Sequence, residues 1–322
     1  MPPEDRPMLN VRETLVMRGA AWDSWAVILA AGEGKRLRWL TRMLHAEDRP
    51  KQFAEITPGR SLLQSTLDRV STTFRPDRTI VVIGAEHREI AIRQLAIFPG
   101  VELVVQPRNR GTSPGILFPL ARIRARDRGA LVTIFPSDHY VLREEPLLRA
   151  VGASAKAARG AGIVMIGTKA ERAETEYGWI VPGGRPPRVG PAVRSIDRFV
   201  EKPDRAQAER LLEEGALWNT FIMTCRLSAL WEEARRHLPA TVHMFDRYVG
   251  SVGQVDEPMI LDFIYSQIPD SNFSRDVLAK ARGLLVVREE GSGWSDWGVP
   301  GRVFQSLQGT PDLDQLLRRI NP

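Results

Sequence analysis

One stretch of the sequence constrains the fold more than any other. The apolar run at 25–31 breaks abruptly into a loop that contains Gly32, Gly34, Lys35 and Arg36. A run without polar alternation is typical of a strand covered on both faces, as in a parallel sheet. Glycines let backbone N–H groups approach an anion closely, and the two cations could neutralise its charge. The stretch therefore predicts a buried strand followed either by a phosphate-binding loop or by an ordinary strand-to-helix turn with solvated cations.

The alternation of strands and helices continues through the first half of the chain. Apolar, β-branched runs at 79–84, 101–105, 130–135 and 163–167 are separated by segments with helical spacing. This order is typical of βαβ units, so we expect an α/β fold with a doubly wound, mostly parallel, Rossmann-like sheet. Ligands of such sheets bind beyond the carboxyl ends of the strands.

Beyond residue 167 the pattern becomes richer in strands and less regular. We expect strands at 177–182, 193–203 and 217–223, which would form a smaller β-rich region. Helices are expected at 61–70 with Ser61 as N-cap, 86–98, 144–159, 204–214, 227–238 and 257–268. Residues 1–24 are charged and contain prolines, so we interpret them as an N-terminal extension, and 25–322 as one domain.

Composition excludes several classes of protein. The net charge is +6, but only six basic residues are lysines, and the arginines are scattered through predicted helices without interleaved aromatics. We therefore expect no nucleic-acid binding. No apolar run is long enough to span a bilayer, so we expect a cytoplasmic protein without a membrane partner. The single cysteine, Cys225, excludes an intramolecular disulfide and is expected to be a small buried residue.

Several short motifs follow the glycine loop in a fixed order. They are Pro50-Lys51-Gln52-Phe53, Ser61-Leu62-Leu63-Gln64-Ser65-Thr66, Pro136-Ser137-Asp138-His139, Glu201-Lys202-Pro203, Leu217-Trp218-Asn219 and Trp294-Ser295-Asp296. In this combination the chain, from about 25 to 304, resembles the sugar-phosphate nucleotidyltransferases, and among them the mannose-1-phosphate guanylyltransferases. Some positions depart from the family pattern: Lys35 replaces the usual Thr, and the segment at 219–222 lacks the usual Ser-Gly after Asn. These departures leave the base and the sugar open.

The resemblance implies that an oxygen of a hexose 1-phosphate attacks the α-phosphorus of a nucleoside triphosphate and that pyrophosphate leaves. It implies GTP, mannose 1-phosphate and GDP-mannose as the reactants and product, with Mg²⁺ as the cofactor. Two anions must meet in this reaction, so catalysis consists mainly of positioning and charge neutralisation. No covalent nucleophile is required. A homo-oligomer is compatible with the sequence, which does not set the oligomeric state.

The resemblance also assigns roles to single residues. Arg36 would contact the departing phosphates, Lys51 the α-phosphate and Lys202 the sugar phosphate. Asp138 and Asp296 would bind Mg²⁺. The expected nucleotide and sugar contacts are Ala30, Ala31, Gly32, Gly34, Gln106, Thr112, Asp138, Gly178, Glu201 and Asn219.

Each assignment has a structural alternative. Asp138 and Asp296 could cap helices, and Lys51 and Lys202 could be surface lysines. Glu201 and Asn219 could make structural hydrogen bonds instead of binding sugar hydroxyls. Two other functions also remain: the same reaction with another base or sugar, and a catalytically silent nucleotide-sugar sensor. His139 is expected to be structural, and Trp218, Trp294 and Trp297 are expected to pack in the core.

Overall fold

The computed structural model describes residues 23–320 except 46, 161, 185 and 187–191. Most of the predicted N-terminal extension therefore lies outside the described residues. In the described part, strands occur at β1 (Trp25–Leu29), β2 (Thr79–Gly84), β3 (Glu102–Gln106), β4 (Leu131–Pro136), β5 (Ile163–Lys169), β6 (Gly178–Pro182), β7 (Val193–Glu201), β8 (Leu217–Arg226) and β9 (Leu285–Glu289). They form one nine-stranded sheet in the order β3-β2-β1-β4-β8-β5-β9-β7-β6.

Helices flank the sheet along the chain. The α-helices are Arg38–His45, Leu62–Ser71, Arg88–Leu95, Thr112–Arg126, Glu144–Ala158, Arg205–Glu213, Leu227–His237, Pro239–Val249, Glu257–Gln267, Pro300–Leu307 and Pro311–Ile320. Short 3₁₀ turns lie at Lys35–Leu37, Lys51–Phe53, Pro76–Arg78 and Ala85–His87, and a π-helical turn at Ser274–Leu278. Among the described residues, no helix has the length and apolar character needed to cross a membrane.

The sheet is covered on both faces, as the sequence predicts. On β1, Trp25 and Val27 face one buried apolar cluster, while Ala26 and Ile28 face another on the opposite side. Since successive side chains of a strand point to opposite faces, a strand between two helical layers must be apolar throughout. The α/β class and the helices on both faces are therefore confirmed.

The pairing of the strands corrects the prediction of a mostly parallel sheet. Strands β1 to β4 are paired in parallel, in the order β3-β2-β1-β4. Strand β8 then inserts antiparallel between β4 and β5, and β6 and β7 also pair antiparallel, so the whole sheet is mixed. The predicted β-rich region is part of this same sheet, because β7 pairs with β9 and β6 with β8.

A third, smaller apolar cluster joins the two ends of the described chain. Leu37 and Leu40, just after the glycine loop, pack with Val303, Leu307 and Leu316 of the C-terminal helices. Burial of such side chains contributes about 1.5–3 kcal/mol each. The C-terminal helices thus support the segment that carries the glycine loop.

Candidate active site

A cavity of about 400 Å³ opens beyond the carboxyl ends of β1 and β4. This is the point where the chain order reverses, from β1 towards β2 on one side and towards β4 on the other, and such switch points form ligand crevices. Nine of the predicted site residues line this cavity: Ala31, Gly32, Gln106, Thr112, Asp138, Gly178, Glu201, Asn219 and Asp296. The other predicted residues, Ala30, Gly34, Arg36, Lys51 and Lys202, stand outside its lining.

Lys51 joins the two predicted metal ligands. Pro50 has an extended backbone, and a 3₁₀ turn begins directly after it. The side chain of Lys51 is only 7% exposed, and its Nζ lies 2.9 Å from Asp138 Oδ2. The same Nζ donates a hydrogen bond of 2.5 Å to the backbone carbonyl of Asp296. One buried ammonium group therefore holds the segments of both acidic residues together.

Both aspartates are held in the anionic form. Burial alone would raise the pKa of Asp138, but the charge of the Lys51 ammonium group opposes it, and the pKa lies below its usual value. Burial opposes ionisation of Asp296 in the same way, and Arg302, His139 and Lys51 lower its pKa overall. Two carboxylates are thus ready at neutral pH to meet a cation.

Asp296 is fixed by groups that the sequence patterns did not reveal. Its Oδ1 accepts hydrogen bonds from the Tyr177 hydroxyl at 2.8 Å and from the Gly298 N–H at 2.9 Å. Arg302 forms an ion pair with it at 2.8 Å and also donates to Glu174 Oε2 at 2.8 Å. Tyr177 has a sequence signal, because it precedes the glycine singled out at 178. For Arg302 no local pattern exists, since it lies on a short helix six residues away.

The glycine loop is held by the turn at 51–53 through its glutamine. Gln52 Nε2 donates to the carbonyl groups of Ala30 at 2.9 Å and Gly32 at 2.6 Å. Gly34 has a φ of 59°, and a Cβ there would lie 2.6 Å from the Lys51 backbone nitrogen. Only glycine allows this approach. Ala30 and Gly34 therefore act on the shape of the loop, away from the cavity lining.

The two cations of the loop differ in their environment. Lys35 is exposed and forms an ion pair with Glu33. Arg36 pairs with Glu176 at 2.7 Å and lies 3.9 Å from Asp296 Oδ2, with its side chain half exposed. Arg36 is therefore close to the acidic groups of the site, whereas Lys35 is directed to its neighbour in the loop.

The predicted base contacts, Gln106 and Thr112, line the cavity. Gln106 ends β3, and its Oε1 accepts a hydrogen bond of 3.0 Å from the Tyr265 hydroxyl. Thr112 begins a helix, and its Oγ1 accepts from the Phe273 N–H at 2.8 Å. Both side chains are held by a segment far along the chain, which fixes them at the cavity wall.

The predicted sugar contacts also line the cavity. A Cβ at Gly178 would lie 2.9 Å from Glu201 Oε2 and 3.3 Å from the Asn219 Cβ, so only glycine lets these two side chains approach. Burial raises the pKa of Glu201, although Lys202 and Ser274 oppose this. Lys202 itself is exposed, and its backbone N–H donates to the Tyr177 carbonyl at 3.0 Å.

The three tryptophans are buried as predicted, and one of them contacts His139, which itself lines the cavity. His139 Nδ1 accepts a hydrogen bond of 3.2 Å from Trp294 Nε1, and burial lowers the pKa of His139. Trp218, Trp294 and Trp297 are all buried. Trp294 additionally lines the cavity, so it shapes the site as well as the core.

Comparison with known proteins identifies the family. A family model described as nucleotidyl transferase matches residues 25–308. The xanthan biosynthesis protein XanB of Xanthomonas campestris pv. campestris is 32% identical over 283 residues, which cover 86% of this chain and 58% of that protein. A mannose-1-phosphate guanylyltransferase of Salmonella muenchen is 29% identical over 301 residues, or 90% of this chain and 61% of that protein. The chain thus spans about three fifths of the length of these relatives.

A solved structure supports the same relationship. The crystal structure of a mannose-1-phosphate geranyltransferase from Thermus thermophilus superposes with a TM-score of 0.77 at 29% identity, covering 89% of this chain and 80% of that one. The family model covers most of the sequence, and its matched residues include the loop, the cavity and both aspartates. The chain belongs to the nucleotidyl transferase family.

Proposed function

We propose that this protein transfers a nucleoside monophosphate from a nucleoside triphosphate to a hexose 1-phosphate and releases pyrophosphate. The observation that carries the proposal is the Lys51 ammonium group, which is buried between the Asp296 carbonyl and Asp138, and both of these residues line the cavity. A buried cation between two acidic segments is suited to an anionic substrate that arrives with a divalent metal ion.

The residues of this chain would act mainly through charge and position. Lys51 would neutralise the phosphate at the reacting centre, where negative charge accumulates in the transition state. Arg36, whose side chain lies 3.9 Å from Asp296, would contact the departing phosphates. Lys202, which is exposed beside Glu201, would reach the sugar phosphate once substrate is bound. The reaction needs no covalent intermediate with the protein, because a phosphate oxygen of the sugar phosphate is itself the nucleophile.

The acidic residues fit Mg²⁺. Among the described residues, no group of three or more His, Cys, Asp or Glu side chains is arranged to hold a metal ion. Mg²⁺ usually takes one or two carboxylates, and waters and substrate phosphates complete its shell. Asp138 and Asp296 supply two anionic oxygen donors to the same cavity. When bound there, the ion would neutralise phosphate charge and orient the triphosphate.

GTP and mannose 1-phosphate are the proposed substrate pair. The support is the name of the Salmonella relative together with the motifs at 50–53, 136–139 and 201–203. The alternative pairs keep the same chemistry with another base or sugar, and a silent sensor would keep only the binding.

A panel of pyrophosphate-release assays tests the proposal. The purified chain is mixed with each of GTP, ATP, UTP, CTP and dTTP, and with mannose, glucose, galactose or N-acetylglucosamine 1-phosphate, with Mg²⁺ or with EDTA. We expect release with GTP and mannose 1-phosphate and none with EDTA. Release of pyrophosphate only with another pair would overturn the substrate assignment. No release with any pair would overturn the enzymatic function and favour the silent sensor.

A further inference from the structure

Phe221 has a backbone conformation that its residue type disfavours. Its φ is 60°, in the left-handed region that bulky side chains rarely adopt. It lies in an irregular part of β8: Asn219 pairs with Gly167 and Met223 with Met165, so three residues of β8 stand opposite one residue of β5. Such bulges redirect side chains next to functional sites.

Hydrogen bonds from polar side chains fix this bulge. Thr220 Oγ1 donates to the Ile166 carbonyl at 2.7 Å and accepts from the Ile222 N–H at 3.2 Å. Asn219 Oδ1 accepts from the Phe221 N–H at 2.9 Å. The left-handed turn at Phe221 therefore also orients Asn219, which lines the cavity. Unfavourable backbone conformations that the surrounding structure enforces are typical of functional positions.

Phe221 is part of the cavity wall, as the predicted sugar contacts are. Phe221 lines the cavity together with Gly178, Glu201, Asn219 and Ser274. It is half-buried, and it packs against the apolar cluster on one face of the sheet. Phe221 thus adds an apolar side chain to a wall in which Glu201, Asn219 and Ser274 can form hydrogen bonds.

We propose that Phe221 is a specificity residue that limits the size of the sugar. The ring fills space next to Asn219 that a bulky substituent on the hexose would need. The site therefore accepts a hexose 1-phosphate with a hydroxyl group at carbon 2 and rejects the analogue with a 2-acetamido group. This inference rests on the proposed function, since it concerns the acceptor of the same reaction.

Two substitutions separate the effect of the ring from the effect of the backbone. Phe221→Ala removes the ring and keeps a Cβ at positive φ, whereas Phe221→Gly removes the ring and suits this backbone conformation. Phe221→Gly should therefore be the more stable of the two in thermal unfolding. Phe263→Ala is the matched control, because Phe263 is an exposed phenylalanine outside the cavity lining.

The test compares kcat/KM for the hexose 1-phosphate that the wild type uses best with kcat/KM for its 2-acetamido analogue. Both Phe221 variants should shift this ratio towards the analogue by at least about tenfold, with KM for the triphosphate unchanged. The control should leave the ratio unchanged. An active wild type whose selectivity survives both substitutions, or a change confined to the KM of the triphosphate, would overturn the inference. Inactivity of the wild type with every substrate pair would instead refute the proposed function.

Discussion

Asp138→Asn tests the ion pair at the centre of the site. The substitution removes the negative charge that faces the Lys51 ammonium group, which is only 7% exposed and otherwise contacts the neutral Asp296 carbonyl. At the observed 2.9 Å, two unit charges attract by about 6 kcal/mol with an effective dielectric constant of about 20. The Asp138 side chain is 35% exposed, so water screens part of this attraction. We expect a loss of about 2–3 kcal/mol in the free energy of unfolding, below the usual cost of about 3–5 kcal/mol for breaking a fully buried pair.

A double-mutant cycle isolates the interaction. Urea unfolding at pH 7 is measured for the wild type, Asp138→Asn, Lys51→Met and the double variant, and the coupling energy is expected at about 1.5–3 kcal/mol. The exposed pair of Arg198 and Glu214, at 2.6 Å, provides the matched control cycle with a coupling of about 0–1 kcal/mol.

The same variants are then assayed for pyrophosphate release. Each single substitution should lower kcat by about 10²-fold or more, because each removes a charge next to the reacting phosphates. A coupling energy no larger than that of the control cycle, or near-normal turnover of Asp138→Asn, would contradict the arrangement described for the site.

Three further predictions concern single side chains. Burial raises the pKa of Glu201 in the folded state. The contribution of Glu201 to stability is therefore highest below its unfolded-state pKa and is lost as the pH rises through its folded-state pKa. Relative to the wild type, Glu201→Gln should stabilise the protein more at pH 7 than at pH 4, as measured by urea unfolding. Tyr177→Phe removes the 2.8 Å hydrogen bond to Asp296 and should lower kcat about tenfold while raising the Mg²⁺ concentration needed for half-maximal activity. Burial raises the pKa of Cys225 to about 12, so Ellman's reagent should leave the native protein unmodified and titrate one thiol after unfolding in urea.

The elements that the sequence predicts well are those with strong local signals. Ser61 is the N-cap of its helix and forms a capping box with Gln64, as the motif indicates. The helices expected at 144–159 and 204–214 occur at Glu144–Ala158 and Arg205–Glu213. In contrast, the helices Arg38–His45 and Pro239–Val249 were missed. The apolar side of the first is covered by helices more than 250 residues away in the chain.

The direction of β8 could not be predicted for a related reason. An apolar run fits a buried strand in either direction, and local propensity does not distinguish parallel from antiparallel pairing. Most of its pairing is with β4 and β5, whose paired residues precede it in the chain by about 50–95 positions. Long-range packing thus determines which strands pair, and short motifs carry no information about it.

The candidate site shows the same division between local and long-range information. The motifs contain Lys51, Asp138 and Asp296. In contrast, Arg302, which pairs with Asp296, and Glu174, which accepts a hydrogen bond from Arg302, lie outside every motif. The sequence also did not indicate that Lys202 would lie outside the cavity lining. Motifs therefore identify the groups proposed to meet the substrate more readily than the groups that position them.

Backbone conformation explains why the geometry of the site is hard to read from local patterns. Among the described residues, the non-glycine residues with positive φ are Lys202, Phe221 and Trp297. Each follows a cavity-lining residue within two positions: Glu201, Asn219 and Asp296. Such conformations cost about 1–3 kcal/mol each and persist only where the surrounding structure enforces them. Trp297 illustrates the compensation, because it is fully buried and stacks on Tyr140 with ring centroids 4.3 Å apart. Three polar side chains that line the cavity are therefore placed by turns that their own residues disfavour. Tertiary packing stabilises these turns.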